Sequence, residues 1–373
     1  MTDPDVARRY HDPRYRAILA DLAIGLALLA LVALTEPGHA LAGVVDPLPE
    51  ALGAFVLGAF LVVRSALVRL PLSIWLGLTH EREFGFSRQS GREYALDRVK
   101  GVGIGAFLTG AGMAGLVGAA VLFPSAWPVV AAVGAALLVL LLSFVAPVVL
   151  EPVFNKFRPL DDAELRGAVM RLATDAGVPV REVLVADASK RTTKLNAYVS
   201  GLGATRRVVL YDTLVETATT PEVLTVVAHE LGHRRYRHVA VGTAIAMAAS
   251  AGFVLVLGAL LENDGVTDAI DATGAGDARV VPFVLLLGSL LGVLLAPLQA
   301  ALSRSWEYAC DRFAVAQTGD LSAFESAFGR LSEANLPDPA PPRLAYLWLF
   351  SHPTVPERLE AARRAAASTT VPA

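Results

Sequence analysis

The chain has 373 residues, 54% of them hydrophobic and only 18% charged, with a mean hydropathy of +0.52. That is too little charge for an ordinary soluble globule and points to a lipid bilayer. The net charge of −3 says nothing about nucleic acid, but the lack of a basic low-complexity arm argues against a nucleic-acid partner, and the single Cys310 excludes an intramolecular disulfide framework.

In chain order, residues 1–16 are polar and basic and read as a cytoplasmic lead-in. Six apolar runs follow, each near the span length of about 20 residues. They cover roughly 17–35, 51–78, 101–123, 127–150, 239–261 and 281–301. The first has no small-residue cleavage site close behind it and does not read as a signal peptide. Arg64 and Arg69 interrupt the second run. Either they face a polar interior or they mark its cytoplasmic end. The loop charges alternate. Arg8, Arg9, Arg14 and Arg16 lie before the first span, and segment 36–50 has no Lys or Arg. Segment 79–100 has five, the turn at 124–126 none, 151–238 thirteen, 262–280 only Arg279, and the tail after 302 seven. By the positive-inside rule both termini and the long segment 151–238 face the cytoplasm.

Between the second and third spans, the loop from His80 to Gln89 is dense in charges and aromatics, a composition suited to the membrane interface. Residues 161–176 read as an amphipathic helix capped by Asp161 or Asp162, with Leu165, Val169, Leu172 and Ala176 on one face. Val183–Val185 and Arg207–Leu210 read as short strands, and 196–203 between them is strand-like and ends at glycines. No Pro/Gly/Ser linker separates these pieces. The expected fold is mainly α and integral to the membrane. About six transmembrane helices accompany a cytoplasmic α/β part. The expected division is 1–150, a membrane domain with four spans, and 151–373, a domain holding the α/β part and the spans 239–261 and 281–301.

The helix predicted after Thr219 carries His229-Glu230-Leu231-Gly232-His233. Pro221 suits its first turn, and Thr219 with Glu222 has capping-box spacing. Residues four apart on a helix share a face, so the two imidazoles can grip one zinc ion while Glu230 acts as general base. The motif helix abuts the membrane and can run straight into the span at 239. A catalytic zinc wants a third protein ligand. His238 is one candidate, but a metzincin needs Gly and His where Tyr236 and Val239 stand. No later span offers an aspartate in an Asn-Pro-Asp-Gly-like setting. A glutamate from a downstream helix is left, and Glu307 is well placed, with Asp311 four residues on and able to fix the tautomer of a ligand imidazole. Cys310 reads as a small packed residue.

Together these stretches resemble the type I CAAX prenyl endopeptidases, integral-membrane zinc metalloproteases. The resemblance is carried by Glu83–Gln89 with Asp97–Gly101, by Pro152–Leu160, Asn196–Tyr198 and Arg207–Leu214, and by the H-E-x-x-H motif, Glu307 with Asp311, and Ser351-His352-Pro353 with Arg358. It covers roughly residues 75–365 and implies that the α/β part is zincin-like and that 151–373 is a metalloprotease domain. It implies one Zn2+ per chain on His229, His233 and Glu307, with Glu230 activating water and Asp311 behind a ligand. It implies that Asn196 and Ala197 hold an extended substrate by β-addition, that His352 binds substrate or stabilises the developing oxyanion, and that Arg358 holds the site together. Eukaryotic relatives have seven spans and usually alanine at the position of Cys310. The Ala-rich, Arg-over-Lys composition suggests a bacterial source, and hence the inner membrane.

The expected function is hydrolysis of peptide bonds in hydrophobic or lipid-modified peptides or proteins near the bilayer. One alternative is a quality-control protease of the heat-shock membrane type. Another, from a different class, is a non-catalytic zinc-containing binder or transporter, which would close its metal with four protein ligands and have no need of Glu230.

Overall fold

The computed structural model describes residues 3–369 apart from Leu202, which lies in the strand-like stretch 196–203. Helix α1 (Pro4–Leu34) starts under the side chain of Asp3, with proline in its first turn. The polar lead-in is therefore helical, and it is anchored. Tyr10 is buried and donates to Glu81, which also takes Arg14 and Lys194 at 2.7 Å each. The interfacial loop is thus docked on protein. Ser87 pairs with Thr192, and Asp97 takes the Arg191 guanidinium at 2.9 Å.

The second span, α2 (Glu50–Val68), ends about ten residues before the expected boundary. The chain breaks at Arg69, whose guanidinium meets Asp21 of α1 at 2.8 Å. Helix α3 (Gly91–Leu122) opens with a Ser90–Glu93 capping box, and α4 (Trp127–Val145) continues through a π-turn to Phe154. A cavity of about 1080 Å³ lies among these helices. Leu22, Leu26 and Leu61 line it together with Arg69, Tyr94 and Arg98, so Arg69 faces a polar interior.

The chain then enters an α/β unit. Strand β1 (Phe157–Pro159) was not expected, because three residues ending in proline carry no readable alternation. Helix α5 (Ala163–Asp175) follows, capped by Asp162, and then β2 (Glu182–Ala186), β3 (Ala197–Ser200) and β4 (Arg207–Tyr211). The order is β1-β2-β4-β3, with β2 and β4 parallel and β3 antiparallel on one edge. Val183, Val185, Val208 and Leu210 bury one face of the sheet against Val169 of α5 and Val223, Val227 and Leu231 of the next helix. Each such side chain contributes about 2 kcal/mol.

Helix α6 (Thr220–Arg235) carries the histidine motif under the expected Thr219–Glu222 capping box. It does not run on into the membrane. Arg237 takes a left-handed conformation (φ 59°), and α7 (His238–Leu261) starts afresh. The last span, α8 (Val281–Thr318), is one helix of 38 residues reaching well past the bilayer. Helices α9 (Leu321–Asn335) and α10 (Val355–Thr369) follow and pack against α6 and α8. Among the described residues six helices are long and apolar enough to cross a membrane.

Candidate metal centre

Glu222 fixes the start of α6. Besides capping, it accepts from Ser326 at 2.6 Å and from Arg330 at 2.9 Å, both on α9. Burial works against its charge, but these donors and Thr219 outweigh it and hold the carboxyl down to about 2. Two turns later His229 and His233 face α8, with their Nε2 atoms 3.3 Å apart. Glu307 of α8 brings Oε2 to 3.2 Å from His229 Nε2 and Oε1 to 3.2 Å from His233 Nε2. The helices approach this closely because Gly232 has no side chain. A Cβ there would lie 3.2 Å from Cys310 Cα, Cys310 Sγ and Phe313 Cδ1.

Asp311 stands one turn beyond Glu307 and is fully buried. Its Oδ1 is 2.9 Å from His229 Nδ1. Arg358 of α10 grips the same carboxylate with Nε at 2.8 Å and a second nitrogen at 2.6 Å, and stacks over Phe328. With Nδ1 turned to Asp311, Nε2 is the His229 nitrogen that faces His233 and Glu307. On the other side His233 Nδ1 is 3.2 Å from His238 Nδ1. His238 lies flat on Trp306, with ring centroids 4.6 Å apart.

These donors fit a cation. Two imidazole nitrogens and a carboxylate converge, and Glu307 Oε2 is buried and accepts no well-formed hydrogen bond, with the Arg358 guanidinium 3.2 Å away. Burial opposes charge on His229, yet Asp311 and Glu307 raise it to about 9, so the pocket favours a positive charge at this point. Two histidines and a glutamate form a set suited to zinc, with room for further ligands. Glu230 is half-buried beside His229, and burial raises its carboxyl above the ordinary value. His352, on the exposed loop before α10, brings Nε2 to 3.4 Å from Glu307 Oε1. Asn196 and Ala197 are not among these contacts. They open the edge strand β3, where the Asn196 side chain accepts from the Ala197 N–H at 2.9 Å. That strand is tied to the motif helix by Arg234, which donates to the Val199 carbonyl.

Residues 159–366 match the model of peptidase family M48, and residues 7–156 match the CAAX prenyl protease N-terminal region of five membrane helices. The chain belongs to peptidase family M48. Among known M48-like proteins it is 33% identical over 227 residues to metalloprotease YhfN of Bacillus subtilis, spanning 60% of this chain and 53% of that protein. It is 28% identical to the probable CAAX prenyl protease 1 of Schizosaccharomyces pombe, over 81% of this chain and 64% of that one. To CAAX prenyl protease 1 of Saccharomyces cerevisiae it is 30% identical, over 80% and 69%. The fold is similar to the crystal structure of S. mikatae Ste24p, with TM-score 0.72 and 27% identity over 83% of this chain and 75% of that one. This M48 chain is an integral membrane protein.

Three features of the M48 centre escape a reading of the sequence. Gly232 is visible inside the motif, but its role as a contact point needs the partner helix. The break at Arg237 has no glycine or proline to announce it. Trp306 reads only as an apolar neighbour of Glu307, with nothing to pair it with His238.

Proposed function

We propose that this protein is a membrane-embedded zinc metalloendopeptidase acting on hydrophobic or lipid-modified peptides or proteins. The observation that carries the reading is the convergence of His229, His233 and Glu307 with Glu230 alongside. One Zn2+ held by these three would polarise the scissile carbonyl and make a water acidic enough to attack near neutral pH. Glu230 takes the proton of the attacking water and returns it to the leaving amine, and its raised proton affinity suits that exchange. Asp311, held by Arg358, keeps His229 in the tautomer whose Nε2 is free to ligate. His352 is placed to donate to the carbonyl oxygen as negative charge develops there. Strand β3, opened by Asn196 and Ala197, lies at the sheet edge, a position suited to the addition of an extended peptide. We take residues 1–150 as the membrane domain and 151–373 as the protease domain. The loop charges support a placement of both termini and the centre on the cytoplasmic side, and the Ala-rich, Arg-over-Lys composition supports a bacterial inner membrane.

The test is cleavage of a fluorogenic, C-terminally farnesylated peptide by detergent-purified protein, with zinc content measured. Wild type and Glu230→Gln should each hold one zinc, and only wild type should cleave, with kcat at least about 100-fold above the variant. Equal rates would overturn the role of Glu230, and a wild type without zinc would overturn the metal assignment. The unprenylated peptide tells whether the lipid is recognised.

A further inference from the structure

Beside the first centre lies a second convergence of donors that the mechanism does not use. His233 Nδ1 and His238 Nδ1 are 3.2 Å apart, and Cys310 Sγ is 3.7 Å from His238 Nδ1. All three ligand atoms fall within 4.8 Å of one another. Cys310 is 0% exposed and His238 7%, so only a small occupant fits. A tetrahedral ion with bonds of about 2.05 Å to nitrogen and 2.3 Å to sulfur separates two nitrogens by about 3.3 Å and nitrogen from sulfur by about 3.6 Å. The two distances to His238 Nδ1, 3.2 Å and 3.7 Å, are close to those edges. Three parts of the fold bring the donors here. The left-handed Arg237 reverses the chain so that His238 turns back toward His233, and Trp306 holds its ring flat. The bare face of Gly232 lets Cys310 approach.

We propose that His233, His238 and Cys310 form a second metal site, sharing the His233 ring with the first, for a thiophilic d10 divalent cation of the Zn2+ or Cd2+ class. One sulfur and two imidazoles select such ions over Mg2+ or Ca2+. Binding displaces the Cys310 thiol proton and the His233 Nδ1 proton to solvent, and the ion bonds to the thiolate and to both Nδ1 atoms. The inference rests on the reading of His233 as a ligand of the first centre, to which the shared ring couples it.

The experiment uses full-length protein in detergent, stripped of metal and titrated with Cd2+. Stoichiometry is read by equilibrium dialysis, and the thiolate-to-cadmium absorption is followed in the ultraviolet. Cys310 is the only thiol in the chain, so that absorption reports this site alone. Wild type should bind two Cd2+, one of them with the thiolate band. Cys310→Ala, which suits a closely packed helix, should bind one without the band. His238→Phe, which keeps a ring against Trp306, should weaken the second Cd2+ at least about 10-fold. One Cd2+ and no band in wild type overturns the second site and leaves the first standing. One Cd2+ with the band supports the second site and overturns the first. No Cd2+ overturns both, and a second Cd2+ bound by His238→Phe as tightly as by wild type overturns this proposal.

Discussion

Gly232→Ala is the most informative single change, because it inserts one methyl group between the two helices that carry the donors. Its Cβ would stand 3.2 Å from Cys310 Cα, Cys310 Sγ and Phe313 Cδ1. Carbon atoms settle at about 3.5–4.0 Å, so relief requires a shift of about 0.4 Å. One of the three contacts is backbone, so a rotamer change does not relieve it and α8 must move away from α6. Glu307 rides on α8 and moves with it, while metal–ligand distances tolerate only about 0.2 Å. Overpacking costs about 1–3 kcal/mol, and replacing glycine in a helix returns about 1 kcal/mol. The net loss of stability is therefore about 1 kcal/mol, while metal affinity should fall about 10-fold or more. The control is Gly329→Ala on α9, where a Cβ meets nothing within 4 Å and the helix gain stands alone. The assay combines thermal melting in detergent with zinc retention against a graded chelator. If Gly232→Ala melts higher, as Gly329→Ala should, and keeps zinc as tightly as wild type, the close approach at Gly232 is not what sets the centre.

Glu222 is held down to about 2 against an ordinary value of 4.5. A depressed folded-state value stabilises above about pH 4.5, and the contribution is lost as the pH falls from there toward about 2. The gap corresponds to about 3 kcal/mol, so Glu222→Gln should melt well below wild type at pH 7, and the two melting curves should converge on acidification. A difference that persists unchanged at pH 3 would contradict this. Asp311→Asn keeps the shape but weakens both the His229 and the Arg358 contacts. Zinc affinity by chelator competition should drop about 10- to 100-fold, and an unchanged affinity would remove Asp311 from the support of the centre. Arg237→Val puts a β-branched residue in a left-handed conformation and should cost about 1–2 kcal/mol in melting experiments, whereas Arg237→Gly should be close to neutral. Equal behaviour of the two would mean that the turn at 237 is not under conformational constraint.

Much of this was legible because it is local. Apolar runs announce spans, Thr219 with Glu222 announces a helix start, and His229 and His233 share a face by helix periodicity. Asp311 follows Glu307 by one turn for the same reason. What was hidden depends on pairs far apart in the chain. Tyr10 with Glu81, Lys194 with Glu81 and Arg69 with Asp21 join segments that no periodicity relates. The early end of the second span coincides with the last of these, where the half-buried Arg69 pairs with Asp21 and the helix breaks. Strand β1 is too short for alternation to show and exists because β2 offers it an edge.

The break at Arg237 separates two tasks that one continuous helix could not do together. In an unbroken helix residue 238 would sit about 140° round the axis from residue 233 and face away from it. The reversal turns His238 back onto His233 and leaves α6 packed on the sheet while α7 follows the membrane helices. Helix α8 does the opposite. It is continuous, lining the membrane cavity with Leu285 and Ser289 and presenting Glu307 and Asp311 to α6 further along. The donors therefore come from two helices that pack on different cores, one organised around the sheet and one among the membrane helices, and at Gly232 these helices leave no room for a side chain. A site assembled in this way cannot form from the α/β unit alone, which carries both histidines but neither Glu307 nor Asp311. This accounts for a candidate metal centre of modest size being built into a chain whose described residues include six helices long and apolar enough to cross a membrane.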